Sequence, residues 1–282
     1  MKQEILEIKQ NKKLAENVFE IKLSGGDFKE IRPGQFVNIK LEGLYLRRPI
    51  SVCDVNLDED LEGRLSASIR LNKENSAKVG TVNCGNHVFE QANVSGDELT
   101  IIFKVVGKGT EALSKMQPGE KLDVLTGLGN GYDLSASGDE PLLIGGGVGV
   151  PPMYYLAKKL IAAGKNVSVV MGFNRQDEIF YEDEFKKLGC KVTVATADGN
   201  YGIKGFVTDA LPENYSYVYT CGPEPMLKAV YRAIKTGGQF SFEERMGCGF
   251  GACMGCSCKT ITGYKRICKD GPVMLKEEIL WE

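Results

Sequence analysis

A chain of 282 residues is long enough for two packed domains and an appendage, and too long for one small core. Its 35 basic and 37 acidic residues leave a formal charge of −2, which excludes the basic stripe on which nucleic-acid binding rests, and no segment approaches the roughly 20 apolar residues of a membrane span. The single histidine, His87, excludes paired-imidazole chemistry and His-rich zinc sites.

The opening residues, MKQEILEIKQNKKL, lack the apolar run of a signal peptide, so a soluble, cytoplasmic protein is expected, with no membrane and no nucleic-acid partner. Short strand-like runs broken by Gly, Asp and Asn then continue to about Tyr132, for example residues 36–41 and 99–106. They predict an antiparallel barrel over residues 1–133. Arg47-Arg48-Pro49-Ile50-Ser51 follows a strand and, alone, reads as an exposed basic turn. Gly107-Lys108-Gly109-Thr110 leads into a helical pattern, the kind of helix start that binds phosphate through free N–H groups. Together the two segments point to a diphosphate cofactor lying against the barrel.

From Pro141 the texture changes to apolar strands alternating with helical patterns, which predicts a parallel α/β sheet and a nucleotide-binding domain over residues 134–237. Gly145-Gly146-Gly147-Val148-Gly149 follows Leu142-Leu143-Ile144 and precedes a helix, the strand-turn-helix setting of a nucleotide loop. It is not a G-x-G-x-x-G, and a turn serving only strand–helix packing is the alternative. Cys221-Gly222-Pro223 ends a later strand of the same sheet, where ligands of parallel sheets bind, and this position supports a nicotinamide site.

After Gly237-Gly238 the pattern breaks into a Gly- and Cys-rich tail, expected as a third module over residues 238–282. Nine cysteines are many for a reducing compartment, and five of them fall between positions 248 and 268, so metal or redox use is a better account than disulfides. Cys248, Cys253, Cys256 and Cys268 form C-x4-C-x2-C-x11-C, whose first three spacings match the plant-type 2Fe-2S pattern. A structural zinc site is the alternative, although zinc normally takes two C-x2-C pairs or Cys/His mixtures. Cys258 is a fifth thiol that strand alternation would point the same way as Cys256; Cys256 is favoured because it completes the C-x2-C.

The barrel, the Gly-rich loop and the Cys-Gly-Pro motif resemble those of the ferredoxin-NADP reductase-like flavoproteins. EERMGCGFGACMGCSCKT followed by Cys268-Lys269-Asp270-Gly271-Pro272 is similar to a narrower family, the electron-transfer subunits of class 1B, NAD-dependent dihydroorotate dehydrogenase, and the likeness covers most of the chain. The resemblance implies FAD contacts at Arg48, Pro49, Ile50 and Ser51, at Ile102, Phe103 and Lys104, and at Gly109 and Thr110. It implies 2Fe-2S ligands at Cys248, Cys253, Cys256 and Cys268. NAD(H) would lie on Gly145, Gly146, Gly147 and Gly149 with Cys221, Gly222 and Pro223. It further implies a hetero-oligomer with an FMN-containing catalytic subunit that oxidises dihydroorotate to orotate in pyrimidine synthesis. Nicotinamide exchanges two electrons as hydride and the cluster one, and FAD between them converts one into the other, so no acid/base catalytic residue is expected.

Two rivals follow from the same residues: the same reductase module serving a bifurcating or hydrogenase-type complex, and a zinc-stabilised adaptor without catalysis. The chain also departs from the family pattern twice. Lys104 stands where arginine is common, and lysine has no planar fork for phosphate. An insert of roughly forty residues, about Val55 to Glu98, separates two barrel strands; it contains Ser66-Ala67-Ser68-Ile69-Arg70-Leu71, a possible strand, and Cys84-Gly85-Asn86-His87. Cys84 and His87 lack the two further ligands a metal would need, so a partner-contact or lid role is expected for this insert.

Overall fold

The structure, a computed structural model, describes residues 1–57 and 97–281. Alternation of apolar and polar residues builds the first unit. In Lys121–Leu128 every second side chain is buried, and in Val18–Ser24 the buried face carries Ile21 and Leu23. Six strands close into an antiparallel barrel: β1 (Lys2–Ala15), β2 (Val18–Ser24), β3 (Phe36–Lys40), β4 (Arg48–Asn56), β5 (Glu98–Lys104) and β6 (Lys121–Leu128), in the order β1-β2-β5-β4-β3-β6. Its interior is filled by Leu6, Ile8, Val37, Ile39, Ile50, Val52, Ile101 and Val124, and Leu113 of helix α1 (Lys108–Lys115) packs into the same core. Because β4 and β5 pair as far as Asn56↔Glu98, the expected insert springs from a hairpin end. The segment 66–71 and the pair Cys84 and His87 lie outside the described residues.

The second unit is a sheet whose strands are β7 (Leu142–Gly146), β8 (Ser168–Phe173), β9 (Lys191–Thr196), β10 (Ile203–Lys204), β11 (Val218–Cys221), β12 (Gly238–Ser241) and β15 (Val273–Leu275). Their spatial order is β10-β9-β8-β7-β11-β12-β15, parallel throughout except for β15. Helices α2 (Val150–Ala162), α3 (Glu182–Lys187) and α4 (Glu224–Ala233) connect the strands. The chain first winds outward from β7 to β10 and then returns to the other side of β7, so the topological switch point lies between β7 and β11.

The residues after Gly237, expected to open the cysteine tail, first form β12, which adds to the sheet beside β11 before the chain leaves it. Its four residues are all buried, the polar Gln239 and Ser241 included, so a run this short shows no period. The cysteine segment then makes a small hairpin, β13 (Ser257–Thr260) with β14 (Gly263–Arg266), and returns as β15 antiparallel to β12 through Phe240↔Met274. One apolar cluster holds Phe36 and Leu128 of the barrel, Phe240 of the sheet, and Cys256, Ile267 and Cys268 of the tail. The three units are therefore welded where the cysteines lie. Asn130 strengthens the weld: its side chain donates to Val273 O at 2.7 Å and accepts from Val273 N at 3.1 Å.

Candidate cofactor and cluster sites

β4 places the first group of residues. Ile50 and Val52 point into the barrel, so strand alternation turns Pro49 and Ser51 to its outer face. Arg48 sits at the barrel mouth, and its guanidinium lies directly over Gly109 at the start of α1: a β-carbon on Gly109 would fall 2.0 Å from Arg48 Nε. Arg48 and the free N–H groups of this eight-residue helix are thereby brought to one spot, a cradle of the kind that receives a diphosphate. Thr110, expected among the flavin contacts, uses its hydroxyl locally: Oγ1 accepts from Val106 N at 2.9 Å and donates to Gly107 O at 3.1 Å, closing the turn that presents the helix start. On β5, Ile102 packs toward the nucleotide domain and Phe103 into the barrel core, stacked on Phe19 with ring centroids 6.1 Å apart. Lys104 Nζ stands 4.0 Å from Glu178 of the nucleotide domain.

At the switch point the glycines have separate uses. A β-carbon on Gly149 would lie 2.2 Å from Cys221 O, one on Gly145 would lie 2.8 Å from Val150 Cα, and Gly146 and Gly222 both lie against the Met226 thioether. The loop after β7 and the Cys221-Gly222-Pro223 turn after β11 are thus in backbone contact, in line with the pairing Gly145↔Cys221. Gly147 differs. It has φ +53° and open space where a side chain would stand, so it is the point at which a ligand can approach the backbone. Pro151 and Pro152 bring no N–H to the first turn of α2, so a phosphate here would be met by the loop's own amides. Beneath the loop, Thr220 Oγ1 is buried and unpartnered, while the Thr220 carbonyl accepts from Tyr132 OH at 3.0 Å.

The cysteine loop folds back on itself through Gly249 (φ +78°), Gly251 (φ +91°) and Met254 (φ +58°). Its amides aim at sulfur: Ala252 N and Cys253 N donate to Cys248 Sγ at 3.2 and 3.4 Å, Gly255 N to Cys253 Sγ at 3.4 Å, and Cys268 N to Cys256 Sγ at 3.4 Å. Burial pushes the Cys248 thiol up, but the N–H groups of Cys253, Phe250 and Ala252 and the Cys253 thiol outweigh it and bring the group down to about 6. Such donors favour thiolate, the form that binds iron. Burial, with Cys256 beside it, pushes Cys268 up to about 12, so iron must displace a proton there.

Among the described residues no three His, Cys, Asp or Glu side chains converge on one point. Cys248 lies beside Cys253 and Cys256 beside Cys268, and the Cys248 charge also acts on Cys268. A four-thiolate 2Fe-2S cluster takes two thiolates to each iron, and these four thiols at the plant-type spacing, with backbone N–H groups aimed at sulfur, fit it. Cys258 stands aside, its thiol 3.9 Å from Met274 Sδ. Arg266, which spacing did not reveal, braces the loop: Nη1 donates to Gly251 O at 3.0 Å while Nε and Nη2 grip Asp270 at 2.8 and 3.0 Å.

A closed barrel with an arginine and helix start at its mouth, a parallel nucleotide sheet with its switch point between β7 and β11, and a four-cysteine module define an iron–sulfur flavoprotein reductase of the ferredoxin-NADP reductase-like class. Residues 243–280 match the iron-sulfur cluster binding domain of dihydroorotate dehydrogenase B, and residues 143–232 match the oxidoreductase NAD-binding domain. Curated relatives named dihydroorotate dehydrogenase B (NAD(+)), electron transfer subunit, include one from Fusobacterium nucleatum subsp. nucleatum, 39% identical over 294 residues, and one from Geobacillus sp., 39% identical over 293; each alignment covers 99% of this chain and 99% of the relative. Among solved structures, an NADH-dependent reduced ferredoxin-NADP oxidoreductase studied for flavin-based electron bifurcation superposes with TM-score 0.76 at 30% identity, over 98% of this chain and 90% of that one. The ferredoxin reductase of carbazole 1,9a-dioxygenase shares the fold, with TM-score 0.61 at 20% identity over 82% of this chain and 64% of that one. The chain belongs to the family of electron-transfer subunits of dihydroorotate dehydrogenase B. Among the described residues no helix is long and apolar enough to cross a membrane.

Proposed function

We propose that this chain passes electrons between NAD(H) and an FMN-containing dihydroorotate dehydrogenase catalytic subunit, through FAD on the barrel and a 2Fe-2S cluster on Cys248, Cys253, Cys256 and Cys268. The observation that carries the reading is the adjacency of the cysteine loop to the barrel face: Asn38 of β3, paired with Pro49 of β4, donates to Cys248 O at 3.3 Å. FAD, when bound, supplies the conversion between a hydride pair and single electrons.

The chain's own residues orient and insulate. Arg48 and the α1 start hold the diphosphate, and Pro49 and Ser51 line the outer face beside it. Gly147 admits the nucleotide at the switch point, where Cys221-Gly222-Pro223 faces the barrel. The inner thiols Cys256 and Cys268 are buried against Phe36, while Cys253, with exposed Phe250 and Met254, forms the outer edge of the loop. That asymmetry gives the cluster an inside toward the flavin and an outside toward the partner.

Similarity to the bifurcation-related structure favours one second reading, in which the same module serves a larger flavin complex. Co-expression with an FMN-containing dihydroorotate dehydrogenase subunit separates the two. The proposed function predicts a stable complex that reduces NAD⁺ with dihydroorotate under anaerobic conditions. A complex that forms but leaves NAD⁺ untouched while its FMN is reduced by dihydroorotate would exclude it.

A further inference from the structure

Cys268 sits in a turn that closes on Arg266, the last residue of β14. The amides of Lys269, Asp270 and Gly271 donate to Arg266 O at 3.0, 2.7 and 3.2 Å, and the Asp270 carboxylate accepts from Arg266 N at 2.9 Å. The same carboxylate takes the guanidinium in a two-point grip, from Nε at 2.8 Å and from Nη2 at 3.0 Å. Nη1 is left to reach across the module to the first ligand loop, where it donates to Gly251 O at 3.0 Å. Gly251 has φ +91°, and a β-carbon on it would lie 2.6 Å from Lys269 Cδ, so the two loops touch at this point. The Gly251 carbonyl belongs to the same planar peptide unit as Ala252 N–H, so holding the oxygen on one side aims the hydrogen to the other. That N–H donates to Cys248 Sγ at 3.2 Å. A carbonyl that accepts from a cation also makes its peptide N–H a stronger donor, because hydrogen bonds in a chain polarise one another.

We propose that Arg266 is a positioning residue for the cluster: locked by Asp270, it orients and polarises the peptide between Gly251 and Ala252 so that Ala252 N–H holds the Cys248 sulfur. This inference rests on the proposed function, because it presumes a 2Fe-2S cluster on the four thiols. Hydrogen bonds to ligand sulfur tune the potential of such a cluster, since they stabilise the negative charge it gains on reduction. The turn that carries Cys268 thereby sets the potential through Cys248 as well.

The test uses the full chain with its cluster, grown with ¹⁵N-alanine, because Ala252 is the one alanine between residues 243 and 280. Pulsed electron paramagnetic resonance of the reduced cluster reads the hyperfine coupling of the Ala252 nitrogen, and a redox titration followed by the same signal reads the midpoint potential. In the wild type a resolved ¹⁵N coupling is expected. Arg266→Gln is expected to weaken it and to lower the ratio of reduced to oxidised cluster at the wild-type midpoint about tenfold, the scale of one hydrogen bond to a charged acceptor. Arg266→Lys keeps the charge but has no fork with which to grip Asp270 and reach Gly251 O together, so it is expected to behave as the glutamine variant does on both readings. Absence of the ¹⁵N coupling in the wild type overturns the proposal without recourse to any variant. A cluster-bearing Arg266→Gln chain in which either quantity stays at the wild-type value also overturns it, and so does a lysine variant that restores the potential, since charge alone would then suffice. A wild-type chain that assembles no 2Fe-2S cluster refutes the proposed function instead.

Discussion

Gly109 has no room for a β-carbon, because the Arg48 guanidinium occupies that space. Its φ is unexceptional, so the constraint is contact and not backbone strain. Gly109→Ala therefore pushes Arg48 off the helix start while leaving the turn closed by Thr110 intact. The expected result is FAD affinity lowered by about one to two orders of magnitude, the scale of a lost charge-assisted phosphate contact, with NAD(H) affinity of the sheet unchanged; a flavin-binding titration checks it. Lys104 bears on the same site. It stands near Glu178 in place of the arginine common in the family, so it bridges the barrel and the nucleotide domain more loosely than a forked guanidinium would.

At the scale of elements, α2 is bolted to β4 by one buried cation. Lys158 Nζ donates to Asp54 Oδ1 at 3.0 Å, Val55 O at 3.0 Å and Asn56 Oδ1 at 2.7 Å, and both charged side chains are nearly buried. Lys158→Met leaves Asp54 buried without its counter-charge and is expected to cost about 3–5 kcal/mol at neutral pH in urea unfolding. Burial raises the Asp54 carboxyl above its ordinary value in spite of Lys158. The folded state thus holds this proton more tightly than the unfolded one. The associated stability is fully present below the unfolded value near 3.8 and is lost as pH rises through the raised folded value. In Lys158→Met that folded value climbs further, so the deficit against wild type shrinks as pH is lowered toward it; a deficit that did not change with pH would contradict the account.

The elements that local pattern revealed are those whose cause is local. C-x4-C-x2-C spacing is a property of one loop, and the run from Leu142 through Gly149 carries its strand-turn-helix setting within a few residues. What pattern left out depends on neighbours distant in sequence. β12 and β15 are four and three residues long and gain their identity only by pairing with β11 and with each other. Asn38 reads as an ordinary polar strand residue until Cys248, 210 positions away, folds against it. Met226, Asn130 and Arg266 likewise have functions that exist only in the assembled fold.

For the whole molecule, the decisive feature is that three modules meet where electrons must pass. Tyr132 and Tyr155 join the barrel to the nucleotide domain through hydrogen bonds to Thr220 O and Ile31 O, each 3.0 Å, and the buried cluster of Phe36, Phe240, Cys256 and Cys268 joins both to the cysteine module. The proposed order NAD(H), FAD, cluster, partner draws on that arrangement, with the exposed edge at Cys253 outermost. The measurement that tests it most directly is the visible spectrum of the anaerobically purified chain before and after two equivalents of NADH, taken for wild type and for Cys253→Ser. The account predicts flavin bands with a broad iron–sulfur shoulder in the wild type, both bleaching, and in the variant a flavin that NADH still reduces without the shoulder. A wild-type flavin that NADH does not reduce, or a variant that passes electrons to the catalytic subunit at the wild-type rate, would contradict it.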